Sequence, residues 1–229
     1  MAPARYFAIE GLIGVGKTSL CRLIERRWGA RLVLEPWDHN PFLAAFYEDR
    51  ARFAFPAQMF YLANRFGQQL QLKQTDLFRQ LVVADYLYQK DRLFAEETLS
   101  ADELQLYDRF ADLLGDGVPA PDFVVFLDAP TEVVRSRIAK RAIAAEQVIE
   151  ASYLDSLRRR YYRLWDRYED APVYVVNTET IDYIDDTADQ ERMLQMLEGW
   201  MHGRPLPGAP EAYRPHNQAQ LRLFGGGRA

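Results

Sequence analysis

Gly11-Leu12-Ile13-Gly14-Val15-Gly16-Lys17-Thr18 fits the pattern G-x-x-x-x-G-K-[ST] at every position, and Ser19 follows it. The flanks fit as well. Tyr6–Glu10 ahead of the loop reads as a short buried strand, and Ser19–Trp28 behind it carries Leu20, Leu23 and Ile24 at helical spacing. Strand, glycine loop and helix in that order form a phosphate-binding site, because the loop amides and the helix N-terminus make a concave patch of positive potential. Gly11, Gly14 and Gly16 let the backbone turn and approach a ligand with no Cβ in the way. In such a loop Lys17 reaches the β- and γ-phosphates of ATP, and the Thr18 hydroxyl holds Mg²⁺.

Outward from the loop, short runs rich in Val, Ile and Phe recur at Tyr6–Ile9, Arg31–Leu34, Leu81–Ala84, Phe123–Leu127 and Val173–Val176. Separated by helical segments, they read as parallel strands buried on both faces. Helices are expected over Phe53–Lys73, from Pro130 through Arg141, over Glu150–Tyr168 and over Gln190–Met201. The expected fold is α/β, a doubly wound parallel five-stranded sheet of the P-loop NTPase type, with ligands at the carboxyl ends of the strands. Residues 1–202 read as one domain with a lid at about 141–149, and the Pro- and Gly-rich composition from Gly203 predicts a flexible tail over 203–229.

Composition narrows the class. The chain has 229 residues, 48% apolar and 27% charged, as an ordinary globular protein does. A net charge of −5 argues against nonspecific nucleic-acid binding, although positive charge gathers locally at Arg135, Arg137, Lys140 and Arg141 and at Arg158, Arg159, Arg160, Arg163 and Arg167. One cysteine, Cys21, excludes an internal disulfide and reads as a packing residue of a cytoplasmic protein. No apolar run approaches about 18 residues, and the N-terminus leads straight into the first strand, so neither a membrane span nor a signal peptide is expected.

Phosphate loops serve many reactions, and the residues after the strands discriminate among them. Strand two ends in Glu35-Pro36, strand three in Asp85-Tyr86 and strand four in Asp128. There is no guanine-reading Asn-Lys-x-Asp, which speaks against a GTPase. Arg137 and Arg141 lie one helical turn apart and can close over ATP phosphates as a lid.

Across about residues 5 to 180 the chain resembles the deoxynucleoside kinase family, including its bacterial deoxyadenosine and deoxyguanosine kinases. The resemblance rests on the Gly11–Thr18 loop, Glu35-Pro36 followed by Asn40-Pro41-Phe42-Leu43, Phe46-Tyr47, the stretch Phe53–Phe66 with Gln58 and Arg65, Leu93-Phe94-Ala95, the Arg137-x-x-x-Arg141 spacing and Glu146. It implies that Glu35 takes the proton of the substrate's 5′-hydroxyl, as a carboxylate at that strand end is placed to do. It implies that Gln58 reads the nucleobase edge with Arg65 two turns along the same face, and that Tyr47 and Glu146 hold the 3′-hydroxyl of a deoxyribose. Phe42, Phe55 and Phe94 are candidates to stack on the base, and a homodimer is implied.

The chain also departs from the family, whose members usually carry Glu-Arg-Ser or Asp-Arg-Ser at the end of strand three. Asp85-Tyr86 stands there instead, so that Asp85 can serve Mg²⁺ and the substrate but the arginine is missing. Lys90 or Arg92, at the start of the following helix, is the candidate replacement, and the usual second lid arginine is Ile143. Two other readings remain open at this stage: a kinase of nucleoside monophosphates using Arg50, Arg52 and Arg65 for the acceptor phosphate, and a nucleotide-binding adaptor without catalysis. In the tail, Gln220-Leu-Arg-Leu-Phe224 resembles the short peptides with which bacterial proteins dock on a polymerase sliding clamp.

Overall fold

Strand β1 (Tyr6–Gly11) is buried at all six positions, as is β4 (Phe123–Asp128), so both faces of the sheet centre must be covered. The structure, a computed structural model, describes residues 5–74, 81–114 and 119–214. Its sheet is parallel throughout in the order β2-β3-β1-β4-β5, with β2 at Arg31–Val33, β3 at Val82–Ala84 and β5 at Val173–Asn177. The order reverses on either side of β1, and the phosphate loop leaves β1 at its carboxyl end, where such sheets bind ligands.

Helices α1 (Lys17–Trp28), α2 (Leu43–Glu48), α3 (Arg50–Gln74), α4 (Lys90–Thr98), α5 (Ala101–Leu114), α6 (Thr131–Arg141), α7 (Ala151–Trp165) and α8 (Thr187–Met201) flank the sheet. Their ends follow local chemistry. Gly29 closes α1 in the left-handed conformation (φ 64°) and donates its N–H to Glu25 O, while the Asp186 carboxylate caps α8 by accepting from Asp189 N at 2.8 Å. The cap explains why α8 begins three residues before the expected Gln190. Helices α2 and α5 have no counterpart among the expected elements. Cys21 lies fully buried in the core beside Leu20 and Ile24.

The composition change at Gly203 is not where the chain leaves the domain. Arg204 N donates to Gly199 O, Tyr213 N donates to Val173 O at the edge of β5, and the Tyr213 hydroxyl donates to Asp166. Tyr213 also packs on Tyr162, with ring centroids 6.1 Å apart. Aromatic burial at Tyr213 therefore outweighs the Pro/Gly content around it. The Gln220–Phe224 segment lies outside the described residues. Among the described residues no helix is long and apolar enough to cross a membrane.

Candidate active site

The loop takes its shape from three glycines with positive φ: Gly11 (147°), Gly14 (78°) and Gly16 (113°). A Cβ at these positions would run into Leu127 O, the Ile138 side chain and the Tyr183 hydroxyl, respectively. The Tyr183 hydroxyl also donates to Val15 O at 3.2 Å, so the segment after β5 braces the loop. Below the loop, the buried Glu10 carboxylate accepts from Gly11 N (3.0 Å), Leu87 N (2.6 Å) and the Tyr161 hydroxyl (2.7 Å). These bonds tie β1, the β3–α4 turn and α7 to the loop.

Two cavities meet at Lys17 and Thr18. The first, of about 950 Å³, runs over the loop between α6 and the segment after β5, bordered by Arg22, Arg137, Lys140 and Tyr183. Its volume is in the range of small-molecule sites. The second, of about 80 Å³, is walled by Glu35, Tyr47, Gln58, Arg65, Asp85, Lys90, Phe94 and Glu146, with Trp37, Tyr61 and Tyr153 as further aromatic walls. Trp37 and Arg141 border both cavities, and the Arg141 guanidinium lies over the Trp37 ring at 5.0 Å. Glu35, Tyr47, Gln58, Arg65, Asp85 and Glu146 thus all face one cavity beside the loop.

Asp85 organises the junction. One carboxylate oxygen accepts from the Thr18 hydroxyl and the other from Glu35 N, both at 2.7 Å, so the end of β3 fixes the loop and the end of β2 at once. Thr18 and Asp85 present two hard oxygen ligands side by side, which suits Mg²⁺, an ion that takes one or two protein oxygens and fills its shell with water and phosphate. Lys17 Nζ rests on Gly11 O (2.9 Å) and Leu12 O (3.0 Å). Burial, then the charge of Lys90, pushes its ammonium down to about 8 against the pull of Glu10, Glu35 and Asp85.

Glu35 is half-buried against two cations. Arg65 binds Oε1 through Nε (3.1 Å) and a second, closer guanidinium nitrogen, and Lys90 Nζ donates to Oε2 at 3.0 Å. Burial alone would raise this carboxyl, but Arg65 and Lys90 outweigh it and hold it well below the usual carboxylate range. The far side of Arg65 pairs with the buried Asp91, whose own carboxyl burial pushes up to about 6 despite Arg65. Arg92, the other candidate for the missing arginine, is exposed and pairs with Glu96 and Asp108.

Among the described residues, two polar atoms in the second cavity have no hydrogen-bond partner. The Thr98 hydroxyl donates to Phe94 O at 2.7 Å, so its lone pair takes Gln58 Nε2 at 3.3 Å, which fixes the amide and leaves the buried Gln58 Oε1 free. Glu146 meets Arg141 at 3.5 Å through Oε1, and its buried Oε2 is unpartnered. Burial raises the Glu146 carboxyl, and burial raises the Tyr47 phenol, which lies within the field of Glu146. Such orphaned acceptors are costly in a finished interior; here both line the cavity beside the loop, where a ligand's donors can reach them.

Other expectations need correction. Of the three stacking candidates only Phe94 faces the cavity; Phe42 packs on the main core and Phe55 on the cluster around Leu62 and Tyr107. Arg137 borders the first cavity, but its guanidinium donates to Val15 O, Thr178 Oγ1 and Thr178 O, so it braces the loop against β5. Arg50 lies over the Tyr153 ring at 4.0 Å and Arg52 over Phe53 at 5.2 Å; with Arg65 held by two carboxylates, none offers a ready subsite for an acceptor phosphate. In the arginine-rich α7, Arg158 forms a bidentate pair with Asp128 and Arg160 pairs with Glu97, which is scaffold chemistry.

The sequence model of the deoxynucleoside kinases matches residues 7–201. The deoxyguanosine kinase of Bacillus subtilis is 33% identical over 198 residues, 84% of this chain and 96% of that protein. The deoxyadenosine/deoxycytidine kinase of the same organism is 27% identical, over 85% of this chain and 92% of its own. In fold, the deoxyadenosine kinase of M. mycoides with bound dCTP superposes with a TM-score of 0.72 at 23% identity, covering 85% of this chain and 99% of that one. A match over residues 7–201, on a loop that opens into a second, carboxylate-lined cavity, leaves one assignment: the chain belongs to the deoxynucleoside kinase family.

Proposed function

We propose that the protein transfers the γ-phosphoryl group of ATP to the 5′-hydroxyl of a purine deoxynucleoside, with deoxyguanosine and deoxyadenosine as the first acceptors to test. The observation that carries this reading is the pair of unpartnered buried acceptors, Gln58 Oε1 and Glu146 Oε2, in the cavity that also holds Glu35 and opens onto Lys17. Gln58 Oε1 takes an N–H of the base, Glu146 with the Tyr47 hydroxyl takes the 3′-hydroxyl, and the 5′-hydroxyl is then left to Glu35. At 80 Å³ the cavity is smaller than a nucleoside site, so entry requires the Trp37–Arg141 pair at its mouth to move.

In the reaction a lone pair of the 5′-oxygen forms a bond to the γ-phosphorus as the bond to the β,γ-bridging oxygen breaks, its electron pair leaving on ADP. The 5′-hydroxyl proton passes to Glu35. A carboxylate held low by Arg65 and Lys90 is a weak base, which fits a loose transition state in which the proton leaves late. Lys17 leaves the Gly11 and Leu12 carbonyls for the β- and γ-phosphates, and Arg141 covers them from the cavity mouth. Thr18 and Asp85 would hold Mg²⁺, which would supply charge neutralisation of the phosphates. The test is a panel of nucleosides, deoxynucleosides and their monophosphates with ATP. Purine deoxynucleosides are expected to turn over fastest; turnover confined to monophosphates would overturn the reading.

The pH dependence follows from Lys17. Its ammonium is lost as pH rises through about 8, and phosphate attraction goes with it. We expect kcat/KM for ATP, which reports the free enzyme, to fall above that pH and the fall to move upward in Lys17→Arg, whose guanidinium does not titrate there. A profile flat through that range in the parent would contradict the assignment.

A homodimer through α5 belongs to the same proposal. Leu106, Phe110 and Leu113 recur along α5 at helical spacing and are 43%, 41% and 82% exposed, an apolar stripe that a second copy would cover. Phe110→Glu with Leu113→Glu is expected to halve the mass seen by light scattering. An unchanged mass would place any dimer elsewhere.

A further inference from the structure

We propose that Lys90 is a catalytic residue: its ammonium, delivered from the first turn of α4, contacts the 5′-oxygen and the transferring phosphoryl group, in the place left without a cation at the end of β3. The proposal rests on the kinase reading above. At that strand end neither residue can supply positive charge. Both Asp85 oxygens are engaged by Thr18 and Glu35, and Tyr86 is fully buried with its hydroxyl donating to Gln68 Oε1 at 2.7 Å. Arg92 turns outward.

Lys90 is positioned for the task. It is 4% exposed, borders the acceptor cavity and donates to Glu35 Oε2 at 3.0 Å. An ammonium carries three N–H groups. Among the described residues no hydrogen-bond acceptor besides Glu35 takes one of them, and the Phe94 ring lies beside the ammonium at 5.3 Å. Of the other cations facing the cavity, Arg65 is committed to Glu35 and Asp91, while Lys17 and Arg141 go to the ATP phosphates. Lys90 therefore sits beside the proton acceptor with donors to spare.

Its placement is unfavourable for folding by itself. A lysine at a helix N-terminus opposes the helix dipole, burial removes its hydration, and Lys17 and Arg65 add like charge nearby. A fold that needed only a partner for Glu35 has Arg65 already. The arrangement makes sense where negative charge arrives, as it does when a γ-phosphoryl group moves toward the 5′-oxygen. There Lys90 draws the phosphoryl oxygens and the nucleophile together while Glu35 Oε2, released from it, accepts the proton.

The experiment uses the full chain and compares Lys90→Met, Lys90→Ala and Lys90→Arg with the parent and Glu35→Gln, measuring kcat, deoxyguanosine and ATP binding by calorimetry, and rescue of Lys90→Ala by ethylammonium. The expected result is a loss of kcat of about 100-fold or more in the Met and Ala variants with binding changed by less than about threefold, a smaller loss in Arg, and partial rescue by the free amine. Should Ala fail to fold, the Met variant, which keeps the aliphatic stem, carries the comparison. If the parent phosphorylates deoxynucleosides and Lys90→Met keeps kcat within about threefold, the kinase reading stands and the Lys90 assignment falls. Parallel loss of binding and turnover without rescue also overturns it, as a positioning of Glu35 only. A parent inactive on every deoxynucleoside defeats the kinase reading itself.

Discussion

Glu35→Gln is expected to lower kcat by about 10²–10⁴-fold while leaving the protein folded and able to bind ATP. The amide has the shape of the carboxylate, so the backbone bond from Glu35 N to Asp85 survives. What it loses is charge, at a point where Arg65 and Lys90 both converge. It can neither take the 5′-hydroxyl proton nor offset those cations, and steady-state kinetics with a saturating deoxynucleoside reads the loss. The same variant has a stability signature. Because Glu35 is held below its unfolded value, its contribution is present above about pH 4.5 and fades as pH falls through the folded value. Acid unfolding should therefore be less steep in Glu35→Gln. Asp91 acts oppositely: raised to about 6, it lets the folded state take up a proton that the unfolded chain releases, so its contribution declines as pH rises from about 4 to 6.

Arg65→Met carries the largest expected cost to folding. Arg65 is 2% exposed and lies between Glu35 and Asp91, also bordered by the Tyr61 and Tyr86 rings at 4.9 and 5.7 Å. Methionine fills much of the volume but strands the buried Asp91 carboxylate and leaves Glu35 with Lys90 alone, and removing one partner of a buried ion pair typically costs about 3–5 kcal/mol. Urea unfolding near neutral pH measures it. The cost should shrink when Asp91→Asn is added, because one stranded charge disappears, so the two changes are not additive. Additive losses would mean that the Arg65–Asp91 pair holds nothing together.

The fold was largely legible because its signals are local. Continuous apolar runs mark β1 and β4, and the glycine loop sets the topology at the strand ends. The helix α5 escaped because its pattern is amphipathic with an exposed apolar stripe, and the ordered path to Tyr213 escaped because one aromatic contact decides it. At the site, Glu35, Gln58, Arg65 and Glu146, which the family resemblance picked out, line one cavity. Spacing could not tell which of Lys90 and Arg92 turns inward, since both begin the same helix and only the packing of α4 against α3 and α7 separates them. It could not show that Arg137 is tied to Thr178, forty-one residues away, or that Glu10, written into a strand, anchors three elements through Gly11, Leu87 and Tyr161. Burial and partners across the chain determine those roles, and neither is a property of a local pattern.

The measurement that bears most directly on the central claim is transfer of label from γ-labelled ATP to deoxyguanosine by the full-length protein, with the product identified by mass spectrometry and phosphorus NMR. A labelled deoxyguanosine 5′-monophosphate formed in step with ADP, and lost in Glu35→Gln, is the predicted result. ADP release with no labelled nucleotide, label at another hydroxyl, or undiminished transfer in Glu35→Gln would contradict it.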